Sequence, residues 1–390
     1  MRKIGILTFH RSINYGAFLQ AFTFSNEIKK RFPDNNVEII DFQLLKRYRQ
    51  YKKQISLKRF PVCIETAIKH RAFKRDQKKL LLSKERLITD DQNKLLEYIK
   101  YRSYDIIIVG SDAVWAYQKM KLDNPYWLFG EKLNNIIKMS YAASAFSTDF
   151  KNVSDSDKSF IKNMLNDFQY IGVRDTETYN FIKEIQPEKE IHYNCDPTFF
   201  LPKNQNIMLA NKVLRKHLIF TDRPLISFMV GKVPYINELK NHLGNKYRYI
   251  HLNHRNQPMD IIDNKTRLLF NLSPLEWYAI YSKCVLNISD YFHGAVLGLI
   301  NRVPTVTIDK TDFPYPYIGK YEQVMTDLGL DDYLFHYKDL LNNMNEKNRF
   351  FAQVDYALAN HEKEIKRINR KVEMEKEKAN SFFSVLKEYL

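Results

Sequence analysis

Cysteine is scarce in this chain of 390 residues. The three present, Cys63, Cys195 and Cys284, stand far apart, and none belongs to a CxxC pair. So sparse and odd a set argues against a disulfide framework and against a cysteine-rich zinc site. Glycine-rich phosphate loops are missing as well. With no Walker sequence and no GxGxxG, neither a nucleoside triphosphate nor a dinucleotide is signalled. No apolar run approaches the roughly 20 residues that span a bilayer. The opening stretch, residues 1–9, is too short and too strand-like for a signal peptide, so the cytoplasm is the expected location. His251 and His254 form an HxxH, but no acid or third ligand accompanies them, and no metal is expected there. There is no short-period repeat and no low-complexity tract.

What is present is the balance of a soluble globular protein, 44% hydrophobic and 27% charged. The length suits about two domains of roughly 150–200 residues each. Formal net charge is +16 and unevenly spread. Between Lys46 and Lys79 stand 13 Lys or Arg against Glu65 and Asp76, a surplus of 11 in one segment. Such a block suits either an anionic partner or simply a solvated helical face.

The apolar pattern alternates strand with helix. Residues 3–9 read as a strand, the polar loop "HRSINYG" follows, and Ala17 to Lys30 has helical spacing before a second strand at 37–42. That is β-α-β, the unit of a parallel sheet covered by helices. Gly16, at the loop–helix junction, suits a tight backbone approach. The basic segment interrupts, expected as helices broken at Pro61. Strands resume at 104–110, 138–143, 170–173 and 191–193, and "DPT" at 196–198 with Pro202 marks an exit from the first domain. The alternation restarts at Leu225 and runs to about residue 330, with helix entries at Ser273-Pro274 and after "SDYFHG". Residues 346–386 read as one long polar helix with few breakers. The expected organisation is residues 1–195, with a basic helical insert at 43–100, then 196–345, then a helical extension, 346–390.

Ligands of open parallel sheets gather beyond the carboxyl ends of the strands, and two α/β halves in tandem imply a cleft. "HRSINYG", "GSD", "VRD" and "SDYFHG" all fall at such ends. Arg174 follows a buried strand and opens a helix, where an arginine fork and the helix N-terminus both favour anions. A surface ion pair with Asp175 or a neighbour is the plainer alternative. Asp112 and Asp290 suit helix caps as well as a site. His293 suits either a packed helix-entry histidine or a side chain aimed at a ligand.

Taken together, "ILTFHRSINYGAFLQAF", "VEIIDF", "DIIIVGSDAVW", "SYAASAF", "YIGVRDTETYNF", "CDPTFFL" and "SDYFHGAVLGLINRVPTV" give the chain a likeness over most of residues 3–330. It resembles the polysaccharide pyruvyl transferase family. The resemblance implies two Rossmann-like domains with parallel sheets, arranged around a central cleft as in GT-B glycosyltransferases. It implies phosphoenolpyruvate as donor and a pyruvate ketal on a cell-surface sugar or its lipid-linked precursor as product. It places Arg174 and His293 at the donor, with Gly294 and either Lys310 or, preferably, Lys320. Asp290 and Asp112 join His293 as catalytic candidates, while His10, Asn14, Tyr15, Gly16 and Ser111 face the acceptor. Such chemistry asks for a general acid and an anion cradle, and no cofactor or metal is expected. No nucleic acid is expected as partner; a peripheral contact of residues 46–79 with an anionic membrane face is. Two other readings compete: a GT-B glycosyltransferase using a nucleotide sugar, for which no base or ribose motif stands out, and a basic anion- or membrane-binding protein without catalysis.

Overall fold

The computed structural model describes residues 1–54, 62–117, 124–128, 133, 135–145, 148, 150–252, 265–311 and 319–390. The chain divides into two compact units. One comprises Met1–Phe200 with Lys376–Leu390, the other Leu201–Glu375.

The first unit is built on six parallel strands: β1 (Lys3–Leu7), β2 (Asn36–Ile39), β5 (Ile106–Val109), β6 (Ile137–Ala143), β7 (Phe168–Val173) and β8 (His192–Tyr193). They lie in the order β2-β1-β5-β6-β7-β8. Ile4, Ile6, Ile107 and Ile108 are fully buried, as central parallel strands with both faces covered require. β3 (Phe42–Gln43) and β4 (Leu87–Ile88) make a separate two-stranded parallel pair. The insert is therefore helical only in part. It carries helices Leu45–Gln54, Val62–Gln77 and Gln92–Tyr101, with β4 between the last two. Pro61, expected as its breaker, lies outside the described residues.

The second unit holds β9 (Leu225–Met229), β10 (Arg248–Leu252), β11 (Thr266–Leu269), β12 (Cys284–Ser289), β13 (Thr305–Asp309) and β14 (Leu334–His336). All pairings are parallel, in the order β11-β10-β9-β12-β13-β14, the doubly wound Rossmann order. β11 and β14 are the two edges, four and three residues long, and too short to show a pattern in the sequence.

Three boundaries depart from the sequence reading. The first unit runs on to Phe200 because residues 196–200 are tied into its core: Gln20 Nε2 donates to Asp196 Oδ2 at 2.6 Å and Phe199 is fully buried. The helix after β12 starts at Phe292, so His293 lies inside its first turn and not ahead of it. The polar C-terminal stretch is three helices, Met344–Ala359, His361–Glu377 and Asn380–Glu388. No proline or glycine marks the breaks. The first ends where the Asn360 N–H turns back to the Tyr356 carbonyl. The second helix is fastened to its own unit by Arg367 on Asp332 (2.7 Å) and by Arg302 on Asn369 and Glu373 (2.6 and 2.7 Å). The third belongs to the first unit, where Phe382 is fully buried against Phe24, Tyr141 and Tyr170. Among the described residues no helix is long and apolar enough to cross a membrane.

Candidate functional site

In the first unit the chain leaves β1 for β2 on one side and later returns to place β5 on the other. The loops after β1 and β5 therefore part, and a crevice opens at their carboxyl ends. The Thr8 hydroxyl donates to the Ser111 carbonyl (3.3 Å) and joins the two loops at their base. His10 is fully buried. Its Nδ1 faces the Thr8 carbonyl and its Nε2 faces Asp41 Oδ1, each at 3.1 Å. Arg11 donates to both oxygens of the same carboxylate, one bond being 2.8 Å. Burial alone would raise the Asp41 pKa; the His10 and Arg11 hydrogen bonds outweigh it and hold the group at about 2. Asn14 caps the helix Tyr15–Arg31 through the Ala17 N–H, at 3.2 Å.

Above these residues lies a cavity of about 350 Å³. His10, Asn14 and Asp112 line it, as do Arg47, Tyr51 and Tyr126, which the sequence reading did not single out. Tyr15, Gly16 and Ser111 are buried outside its lining. Tyr15 turns instead to Phe73 of the insert, ring centres 4.9 Å apart. Gly16 takes helical backbone within the first turn of Tyr15–Arg31.

The "GSD" turn has its own geometry. Gly110 has φ +124°, and a Cβ there would lie 2.0 Å from the Tyr141 carbonyl oxygen, so only glycine fits. Asp112 stands in the left-handed region at φ +76°, a conformation costly for a non-glycine residue and held by its surroundings. Its carbonyl accepts the Ser144 N–H (3.1 Å). Its side chain bonds the next N–H, Ala113, at 2.8 Å and caps no described helix.

Asp112 also approaches Arg174, with Oδ1 4.0 Å from Nη2. Arg174 follows β7 and is mostly buried. Its Nη1 donates to Asp196 Oδ2 at 3.0 Å. Asp175, one of the partners the sequence offered, caps the helix Thr176–Ile185 through the Thr178 N–H and hydroxyl (2.9 and 2.6 Å). Burial opposes the Arg174 charge, and Asp196, Asp112 and Asp175 more than restore it. Asp196 is saturated. Its Oδ2 also accepts Gln20, and its Oδ1 accepts the Thr198 N–H and hydroxyl. It fixes the guanidinium and has no lone pair to spare for a proton transfer. The sequence offered Asp196 only as part of a turn, since a partner 22 residues away shows no periodic signal.

The second unit has its switch point between β9 and β12. Asp290, directly after β12, accepts the Gly231 N–H from beyond β9 at 2.7 Å and pairs with Lys310 Nζ at 2.6 Å. The helix cap expected of Asp290 is not found: its carboxylate goes to Gly231 and Lys310. Tyr321 OH donates to the Asp290 carbonyl, at 2.8 Å. His293 sits in the first turn of Phe292–Ile300, a helix with no side-chain cap, so its N-terminal dipole is unscreened by an acidic cap. The imidazole is 8% exposed and lies edge-on to Phe292 at 5.1 Å. Lys320 reaches the same neighbourhood, its Nζ 5.2 Å from the centre of the Phe292 ring. Lys310 and Lys320 thus both stand at this end of the sheet, Lys310 on Asp290 and Lys320 over Phe292.

Gly294 explains the glycine after the histidine. A Cβ there would lie 2.5 Å from Ser289 Oγ and 2.6 Å from Met229 Sδ, so the helix could not settle on β12 and β9. A buried polar knot completes the seating. Asn287 of β12 donates to the Gly294 carbonyl (3.0 Å) and accepts from Ser227 Oγ of β9 (2.8 Å). Asn287 is a positioning residue hidden inside what reads as a plain buried strand. His251 contacts the Val230 carbonyl at 2.8 Å, and burial first, against that bond, lowers its pKa. His254 lies outside the described residues. Among the described residues no three His, Cys, Asp or Glu side chains gather as a metal site would need.

Comparison with known proteins completes this picture. Over the full lengths of both chains, the fold is similar to UDP-GlcNAc 2-epimerase from Neisseria meningitidis, solved with UDP-GlcNAc bound, at TM-score 0.55 and 10% identity. It is similar also to a glycosyltransferase from Rickettsia africae (TM-score 0.54, 13% identity, 99% of each chain) and to UDP-GlcNAc 2-epimerase from Methanocaldococcus jannaschii (0.54, 11%, 92% and 93%). These likenesses show the fold, two Rossmann-like units of GT-B type. A search of curated proteins finds no match. The family model for polysaccharide pyruvyl transferase matches residues 14–312, a span containing Asp112, Arg174, Asp196, Asp290, His293 and Lys310. The chain is a transferase and belongs to the polysaccharide pyruvyl transferase family.

Proposed function

We propose that this transferase moves the pyruvyl group of phosphoenolpyruvate onto a sugar of a bacterial cell-surface polysaccharide or its lipid-linked precursor. The observation that carries the reading is the neighbourhood of His293. His293 in the first turn of a helix with no side-chain cap, Lys310 on Asp290 and Lys320 over Phe292 all stand at the carboxyl end of one parallel sheet, within or just beyond the span matched by the family. That set suits a donor bearing both phosphate and carboxylate. In the reaction, His293 donates a proton to the methylene carbon of phosphoenolpyruvate. The C2 cation that results is attacked by one sugar hydroxyl. A second hydroxyl displaces phosphate from C2, and the products are a cyclic pyruvate ketal and inorganic phosphate. Two hydroxyl protons leave and one proton enters the methyl group. In the first unit Arg174 is held by Asp196, its Nη1 donating to Oδ2 at 3.0 Å. Asp112, 4.0 Å from that guanidinium, is the candidate to accept a hydroxyl proton. The cavity lined by His10 and Asn14 is the candidate acceptor site. The reaction needs no metal or redox cofactor.

The test is direct. Purified protein, phosphoenolpyruvate and a set of bacterial glycan fragments should release phosphate and give a product heavier by one pyruvate ketal, with EDTA present throughout. Turnover that appears only after a divalent metal is restored would refute the metal-free chemistry. Turnover of a UDP-sugar in place of phosphoenolpyruvate would put the glycosyltransferase reading first.

A further inference from the structure

The insert is more than a charged surface: one of its helices walls the cavity of the first unit. Leu45–Gln54 begins directly after β3, whose Phe42 and Gln43 are buried and line the same cavity. Arg47 and Tyr51, four residues apart, share one face of that helix, and both line the cavity. Three further aromatic residues, Phe9, Phe42 and Tyr126, also line it. Phe9 and Phe42 each meet Tyr126 edge-on, with ring centres 4.8 and 5.7 Å away.

The charges around this space are unevenly paired. Arg11 is spent on Asp41, and Arg174 on Asp196 and Asp112. Among the described residues Arg47 has no acidic partner. Arg86 Nη2 donates to Gln43 Oε1, a cavity-lining side chain, at 2.5 Å, and the Asp41 and Arg11 charges both act on it. Burial, then the nearby Arg11 charge, depresses the Arg86 guanidinium against the opposing pull of Asp41. Aromatic walls with one uncompensated arginine suit a ring bearing an anion. The rings take the apolar face of the sugar, and the planar guanidinium takes phosphate or carboxylate oxygens in pairs.

We propose that this cavity takes a sugar carrying a negative group, phosphate or carboxylate, and that Arg47 of the insert selects for that charge. The proposal rests on the reading of the cavity as an acceptor site and names the acceptor's class.

Calorimetric titration of the full chain without phosphoenolpyruvate tests it, using N-acetylglucosamine, N-acetylglucosamine 1-phosphate, glucuronate and inorganic phosphate. At least one charged sugar should bind about tenfold or more tightly than the neutral one, the size expected of one charge-assisted contact. Which charged sugar wins identifies phosphate or carboxylate as the group read. Arg47→Gln should erase that advantage and leave the neutral sugar within about twofold, since a rim charge acts through the partner charge alone. Arg49→Gln, exposed on the same helix outside the cavity lining, should change nothing. Equal affinity for neutral and charged sugars, an Arg47→Gln variant that keeps the preference, or inorganic phosphate binding as tightly as the sugar phosphate would each overturn the proposal. A parallel transfer assay separates it from the function above. Charged sugar bound through Arg47 but never pyruvylated removes the transfer reading and leaves this inference standing. Efficient pyruvylation of neutral and charged sugars alike does the reverse.

Discussion

His293 is buried to 8% exposure yet belongs to a helix end with no side-chain cap, so packing and chemistry make opposite claims on it. The two separate by experiment. If it is the proton donor, His293→Gln and His293→Ala should cost on the order of 10²-fold or more in turnover, with the melting temperature little changed for the glutamine variant. A packed helix-entry residue would instead lower the melting temperature and leave turnover per folded molecule intact. Activity and thermal stability measured on the same two variants decide it. Residues of this kind are legible in sequence because a short polar run between two apolar ones marks a strand end. Their partners are harder to read. Asp196, Gln20, Asn287 and Ser227 hold Arg174 and the His-Gly helix in place, but nothing local in the sequence signals these contacts, and each residue meets its target only through the fold. Asp290 shows the same limit: its acidic character was legible, but its partners, Gly231 and Lys310, come from separate loops.

At the scale of elements, most central strands and their helices follow from apolar runs and their spacing, because parallel strands buried on both faces leave an uninterrupted signal. The short edge strands β11 and β14 and the minor pair β3–β4 carry too few residues for a period to show. The insert lies between these cases. Its charge was plain, but not that helix Leu45–Gln54 turns Arg47 and Tyr51 toward a cavity. Other exposed cations of the insert, Lys52, Lys53, Arg71, Lys74 and Arg75, lie outside the cavity lining. We propose that these hold the enzyme against an anionic membrane face, each contributing roughly 1 kcal/mol near such a surface and less at high salt. Replacing all five by glutamine should reduce sedimentation with vesicles rich in anionic lipid while sparing turnover of a water-soluble acceptor. Sedimentation unchanged from the native protein would leave them a solvated face.

For the molecule as a whole, the chain visits its first unit twice. Residues 376–390 return to it after the whole of the second unit has been made. There Phe382 packs on Phe24, Tyr141 and Tyr170, Ser381 bonds the Tyr170 hydroxyl at 2.8 Å, and Arg31 lies over the Phe383 ring at 4.0 Å. Phe382→Ala should destabilise the first unit by about 3–5 kcal/mol, as loss of a fully buried phenyl ring does. Calorimetry resolving two transitions should show the second unit's melting unmoved; a shift of both together would mean that they unfold as one. The order of synthesis gives this return a further meaning. On the ribosome, residues 201–375 are complete and able to fold before the first 200 have all their core partners. The first unit must wait with an aromatic face around Phe24 and Tyr141 uncovered, and for that interval it is a natural client for a chaperone.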